Sequence, residues 1–286
     1  MKLTLGFSPC PNDTFIFDAL IHHKIDTEGL DFEVHFDDVE TLNQKAVNHE
    51  LDITKLSFHA FAHVADKYAL LDSGSALGFG VGPLLICKDE SLLDLETLAA
   101  KGKDLRIGIP GKLTTANFLL GIAFPEMQHK EIMVFSEIED ALLEDRIDIG
   151  LIIHENRFTY ASRGLHKILD LGSHWESLTG CAIPLGGIVI SRTLSKEIQL
   201  KVNRLIRKSV EFAFANPKSG IDFISSHAQA MDQEVMYKHI DLYVNNYSID
   251  LGKEGRKAID ILFEKAEATG LIPAVPASLY VKPDTV

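Results

Sequence analysis

Two stretches, Leu51-Asp52-Ile53-Thr54-Lys55-Leu56-Ser57 and Ile147-Asp148-Ile149-Gly150-Leu151-Ile152-Ile153-His154, decide the fold when they are set side by side. Both are of strand length, both open on an aliphatic-Asp-Ile triplet, and each follows an acidic helix end. Outward from the first, the spacing predicts a strand over 3–7, a turn Ser8-Pro9-Cys10-Pro11-Asn12-Asp13-Thr14, a helix over 15–23, a strand over 32–36 and a helix over 39–48. Outward from the second lie a strand over 105–109, a turn Pro110-Gly111-Lys112-Leu113-Thr114-Thr115, a helix over 116–123, a strand over 132–135 and a helix over 137–144. The chain therefore repeats a βαβαβ pattern once, and strands alternating with helices imply mostly parallel sheets.

Two glycine-rich strands lie outside the copies. Gly78-Phe79-Gly80-Val81-Gly82-Pro83-Leu84-Leu85-Ile86-Cys87 would carry the chain from one lobe to the other, and Pro184-Leu185-Gly186-Gly187-Ile188-Val189-Ile190-Ser191 would carry it back. Two crossings make the first lobe discontinuous, over 1–88 and 190–286, with 89–189 as the second. Residues 195–270 read as helices covering the first lobe; Ile198, Val202, Leu205, Ile206, Val210 and Phe214 form a stripe of helical period. This is the architecture of type II periplasmic-binding-protein folds: α/β, two-lobed, with a central cleft. Fold alone leaves receptor, effector domain and enzyme all open.

Composition excludes several partners. The 286 residues are 46% hydrophobic, enough for a large core, and 41 acidic against 28 basic residues give a net charge of −13. No basic run suits nucleic acid or an anionic membrane surface. No segment reaches the roughly 18 apolar residues of a membrane span. The first nine residues lack a secretory pattern, and Cys10, Cys87 and Cys181 are too scattered for a disulfide framework, so a cytoplasmic location is expected.

In open parallel sheets ligands bind beyond the carboxyl ends of the strands, where helix N-termini offer unpaired N–H groups. Four segments qualify: 8–14 and 55–57 in one lobe, 110–116 and 154–160 in the other. The Gly111-Lys112-Leu113-Thr114-Thr115 turn is not a P-loop, because Arg106 stands where glycine is needed and Leu113 where Ser or Thr is needed. Thr114 or Thr115 can cap the helix, as a plain cap or as part of a carboxylate site. Lys55 and Ser57, a cation and a hydroxyl at a strand end, suit the same small anion in the cleft.

His154 ends an apolar strand, where an imidazole is either a general base or a hydrogen-bonded structural residue. Arg157 reads as a salt-bridge partner ahead of a substrate clamp. Cys10 precedes a helix, a position that can activate a thiol, but the flanking prolines argue for a rigid turn. His59 and His63 have i,i+4 spacing without the glutamate or third ligand of a zinc site, so no metal is expected. Asn12 and Asp13 read as caps or Asx turns.

At these residues the sequence resembles the 1,4-dihydroxy-6-naphthoate synthase family of the futalosine route to menaquinone. The carriers, nearly end to end, are Gly6-Phe7-Ser8-Pro9-Cys10-Pro11-Asn12-Asp13-Thr14-Phe15, Asp38-Val39-Glu40-Thr41-Leu42-Asn43, Thr54-Lys55-Leu56-Ser57, Gly80-Val81-Gly82-Pro83-Leu84, Pro110-Gly111 with Thr114-Thr115-Ala116, and Gly150-Leu151-Ile152-Ile153-His154-Glu155 with Arg157-Phe158-Thr159-Tyr160. The resemblance implies a cofactor-free lyase acting on cyclic dehypoxanthine futalosine, releasing 1,4-dihydroxy-6-naphthoate and a sugar-derived fragment. It implies His154 as proton acceptor and Lys55, Leu56, Ser57, Thr115 and Ala116 as substrate contacts; Thr114 is added from the capping argument. The alternatives are chorismate dehydratase of the same pathway, which the 8–15 and 154–160 strings disfavour, and a solute-binding protein without chemistry.

Overall fold

The computed structural model describes residues 1–228, 232–276 and 278–281. The chain divides into two compact units, one of Met1–Gly78 with Pro184–Val286, the other of Phe79–Ile183. In the first unit β1 (Lys2–Phe7), β2 (Asp31–Phe36), β3 (Ile53–Ser57), β4 (Tyr68–Leu70), β5 (Ala76–Gly78) and β11 (Ile183–Ser191) form one sheet, ordered β2-β1-β3-β11-β4 with β5 paired to β11. In the second, β6 (Leu84–Cys87), β7 (Ile107–Ile109), β8 (Lys130–Ile132), β9 (Ile149–Ile152) and β10 (His166–Asp170) run in the order β10-β6-β9-β7-β8.

Both sheets are mixed. The parallel part is the three strands of each copy, β2-β1-β3 and β8-β7-β9. The strands outside the copies join antiparallel: β11 to β3 and β4, and β6 to β9 and β10. The units change over at 78/79 and 183/184, ahead of the expected boundaries at 88/89 and 189/190, because β6 pairs within the second sheet and β11 within the first. A second shift affects the strand expected over 132–135, which is found at Lys130–Ile132. Ile132 and Val134 are exposed while Phe135 is buried, so that apolar run does not describe one buried face.

The repeat extends to individual hydrogen bonds. Leu5 pairs Ile53 and Gly6 pairs Thr54; Ile107 pairs Ile149 and Gly108 pairs Gly150, the same register. Asp52 accepts the Thr4 N–H at 2.9 Å, and Asp148 accepts the Arg106 N–H at 2.8 Å, so the shared aspartate ties each third strand to the start of the first. A Cβ on Gly6 would lie 2.5 Å from Leu51 Cδ1, and one on Gly108 2.5 Å from Ile147 Cδ1. Before each third strand the chain leaves its helix through a left-handed residue, His49 (φ 60°) and Asp145 (φ 55°).

In the first unit the helices Pro11–Ile21 and Lys196–Ala215 pack together over the sheet. Ser209, fully buried, donates its hydroxyl to Ile16 C=O at 2.6 Å and accepts Leu20 N–H at 3.1 Å, bridging two groups that would otherwise bond each other along the helix. Phe17 stacks on Phe7 with ring centroids 4.4 Å apart. The core of the second unit includes Leu84, Ile86, Ile138, Leu142, Ile147, Ile152 and Leu165. Here the chain that returns from β10 lies so close to the turn before β6 that a Cβ on Gly82 would sit 2.2 Å from Gly172 Cα.

Candidate functional site

In the first unit the strand ends carry a buried polar network. The turn after β1 enters the helix Pro11–Ile21 with Cys10 at the N-cap and proline at the first position. Asp13 reaches back from the third helical residue to accept Ser8 Oγ–H at 2.9 Å and Ser8 N–H at 3.3 Å. Its other oxygen accepts Asn12 Nδ2–H at 2.8 Å and lies 3.2 Å from Lys55 Nζ. Lys55 also donates to Gly74 C=O at 2.7 Å and is 7% exposed. Asn12 Oδ1 in turn lies 2.8 Å from Nε2 of His239, a fully buried residue of the helix Gln233–Tyr243.

Lys55 is thus part of an ion pair whose charges compensate locally. The partner carboxylate comes from the turn after β1, so the Lys55 cation is held by a residue of the neighbouring strand's exit. Leu56 is 1% exposed. Ser57 begins the helix Phe58–Val64 and is fixed by Asn43, whose Oδ1 accepts Ser57 N–H at 3.0 Å and whose Nδ2 donates to Ser57 Oγ at 3.3 Å.

In the second unit the carboxyl ends of β7, β8 and β9 share one end of the sheet. After β7, Thr114 N-caps the helix Thr115–Ala123, accepting Asn117 N–H at 3.2 Å and donating to Gly111 C=O at 2.9 Å. Asn117 is held in turn by Lys130 Nζ at 2.9 Å, and burial pushes the Lys130 ammonium below the usual lysine range. Thr115 and Ala116, both nearly buried, form the first turn, where helix N–H groups and the dipole favour a carboxylate.

His154 stands two residues past the end of β9, with φ 56°, a left-handed conformation uncommon among non-glycine residues, although histidine adopts it more readily than most. Its ring centroid is 4.9 Å from that of Phe135. The residues after it are anchored: Asn156 Nδ2 donates to the buried Glu139 carboxylate at 2.8 Å. Arg157 donates to Asp170 Oδ2 at 2.8 Å and to Gly82 C=O, so the salt-bridge reading of Arg157 describes its contacts. His59 and His63 lie with rings 5.5 Å apart on one helix face.

Ser57, Thr114, Thr115, Ala116 and His154 stand at or just past a strand end or helix start of their own unit, while Lys55 and Leu56 lie within β3. The reading missed the residues that hold them: Asp13 beyond its capping role, His239, Asn43 and Glu139. Asp13 was signalled by its position beside a helix start and Asn43 by the family resemblance, without a role; His239 and Glu139 approach from elements distant in the chain.

The family described as menaquinone biosynthesis matches residues 3–268. The chain belongs to that family. Two relatives are both named 1,4-dihydroxy-6-naphthoate synthase. The one from Thermus thermophilus is 42% identical over 98% of this chain and 99% of its own length. The one from Streptomyces coelicolor is 39% identical over 96% and 95%. A solved structure from Archaeoglobus fulgidus is 38% identical, covers 95% of this chain and 98% of its own, and superposes with a TM-score of 0.87. The periplasmic aliphatic sulphonate binding protein of Escherichia coli, 10% identical, covers 100% of this chain and 95% of its own at a TM-score of 0.64, which shows the shared fold. This member of the menaquinone-biosynthesis family is an enzyme with a periplasmic-binding-protein-like fold, and the lyase class fits its relatives' name. Among its described residues no helix is long and apolar enough to cross a membrane.

Proposed function

We propose that this enzyme is a cytoplasmic lyase that converts cyclic dehypoxanthine futalosine to 1,4-dihydroxy-6-naphthoate without a cofactor, and that His154 is its general base. Support for the product comes from the relatives' name, and the substrate is the one that the family resemblance implies. Support for the base comes from one observation: an imidazole held in a left-handed backbone at the carboxyl end of β9. Such a conformation costs about 1–2 kcal/mol for an L-residue and persists where surrounding structure enforces it.

A lyase cleaves without water or an external oxidant, so the electrons released when a proton is removed must stay in the products as a new π bond while the leaving group departs. That chemistry needs a base able to take a proton near neutral pH, and a neutral imidazole is one. It also needs the substrate anion fixed relative to that base. We assign substrate contact to the Thr114, Thr115 and Ala116 turn and to Lys55, Leu56 and Ser57, with Lys55 held by Asp13. The same fold also serves proteins that only bind a solute, which predicts binding without turnover.

The test is turnover of cyclic dehypoxanthine futalosine, and of chorismate as the rival substrate, followed by product chromatography on wild type, His154→Ala and His154→Gly. Wild type should release 1,4-dihydroxy-6-naphthoate from the first substrate only. Both variants should lose about 10²–10⁴ in kcat with little change in KM. His154→Gly should at the same time unfold at higher temperature than His154→Ala, because glycine adopts φ 56° without strain. A folded His154→Ala protein with near-normal kcat returns the histidine to a structural role.

A further inference from the structure

We infer that Glu139 is a positioning residue for His154, an inference that rests on the base assignment above. Glu139 lies in the short helix Ile138–Leu143, is 2% exposed, and touches the segment after His154 at three places. Its Oε1 accepts Asn156 Nδ2–H at 2.8 Å and lies 3.4 Å from Thr159 Oγ1. Its Oε2 accepts Arg163 Nη1–H at 2.9 Å, and the same guanidinium donates to Asp140 Oδ1 at 2.5 Å. One buried carboxylate thus gathers residues 156, 159 and 163, which follow the histidine through the helix Asn156–Thr159 and the 3-10 turn Tyr160–Arg163.

The reason such a clamp matters lies in the backbone. His154 is left-handed at φ 56°, whereas residues of the segment it opens, Glu155 and Tyr160, are right-handed helical at φ −66° and −52°. Left to itself the chain would relax toward an ordinary φ at His154, swinging the imidazole by rotation about its own backbone. Fixing Asn156, two residues on, removes that freedom. Arg157, tied to Asp170 and Gly82, pins the next position in the same unit. A carboxylate suits the place: Asn156 and Arg163 donate to different oxygens, and a glutamine would turn its NH2 toward one of the two donors.

The inference is tested by a double-mutant cycle with Glu139→Gln and His154→Ala, measuring kcat and KM for cyclic dehypoxanthine futalosine and the midpoint of thermal unfolding. Glu139→Gln should lower kcat about 10–100-fold with KM within about threefold, because misplacement by about 1 Å near the reacting atoms can cost about 10². In the His154→Ala background the same change should cost less than about threefold, since a residue that acts only through the imidazole has nothing left to position. Asn156→Ser, which leaves the Glu139–Arg163 ion pair intact, should give the same pattern and serves if Glu139→Gln does not fold. Equal losses with and without His154 overturn the inference and make Glu139 a general support of the unit. So does full activity of both Glu139→Gln and Asn156→Ser while His154→Ala is impaired. If His154→Ala itself turns over normally, the base assignment has failed and this inference falls with it, an outcome the cycle distinguishes from the other two.

Discussion

Replacing Lys55 by Met cuts a buried ion pair and should cost stability as well as binding. The lysine and aspartate side chains are 9% and 3% exposed, with Nζ 3.2 Å from Asp13 Oδ1. At that distance the gross attraction is about 5 kcal/mol for an effective dielectric of 20. Much of it is offset by desolvation, and removing one partner of a buried pair costs about 3–5 kcal/mol, chiefly because the other charge is stranded. Asp13 would keep its donors Ser8 N–H, Ser8 Oγ–H and Asn12 Nδ2–H, which places the loss near the lower end, about 3 kcal/mol. Methionine fills the stem volume, so no cavity adds to this, although Gly74 C=O loses its donor. Equilibrium urea unfolding followed by circular dichroism measures the change. Lys55→Met with Asp13→Asn should recover about 1 kcal/mol or more relative to the sum of the single variants, because no charge is then left unpaired. A Lys55→Met loss below about 1 kcal/mol would refute the pairing argument and restore Lys55 as a side chain held for the ligand alone.

Phe17→Ala removes a fully buried ring stacked on Phe7 and should destabilise the protein by about 3–5 kcal/mol in the same urea assay, with less than about 1 kcal/mol indicating a core that collapses to fill the gap. Glu28 is hydrogen-bonded by Arg204 and Lys208, which hold its carboxyl at about 2 against an ordinary 4.5. A depressed carboxylate contributes stability above its unfolded value that is lost as pH falls through its folded value. The advantage of wild type over Glu28→Gln in thermal midpoint should therefore be constant above about pH 5 and shrink between pH 4.5 and 2. An advantage independent of pH across that window would mean the contact is not ionic.

The repeat was legible because hydrophobic period and the shared aspartate both survive in the local sequence. Leu51-Asp52-Ile53 and Ile147-Asp148-Ile149 match for a physical reason that only the structure discloses: each aspartate accepts a backbone N–H from the first strand of its copy. The direction of the glycine-rich strands was not legible, since an apolar strand reads the same whether its neighbour runs with it or against it. The site residues at strand ends were placed by rule, without knowledge of their partners. Lys55 meets Asp13 across 42 positions and Asn12 meets His239 across 227, and no periodicity links residues so far apart.

Comparison of the two copies separates what the fold requires from what it does not. Aligned through their aspartates, His49 matches Asp145, and both are left-handed; that conformation belongs to the shared helix exit and needs no functional explanation. His154 aligns with Phe58, a fully buried residue that begins a regular helix with ordinary backbone. Lys55 aligns with Leu151, a fully buried member of β9. The same βαβαβ frame is therefore built once with an aliphatic side chain and once with a buried cation, once with a relaxed helix start and once with a strained histidine. Departures from local rules that the fold does not need are where function is expected. These two departures carry the case for this chain, and each is held by a buried carboxylate from a neighbouring element, Asp13 for Lys55 and Glu139 for the segment after His154. A chain that only had to fold could have kept the aliphatic residue and the relaxed turn in both copies.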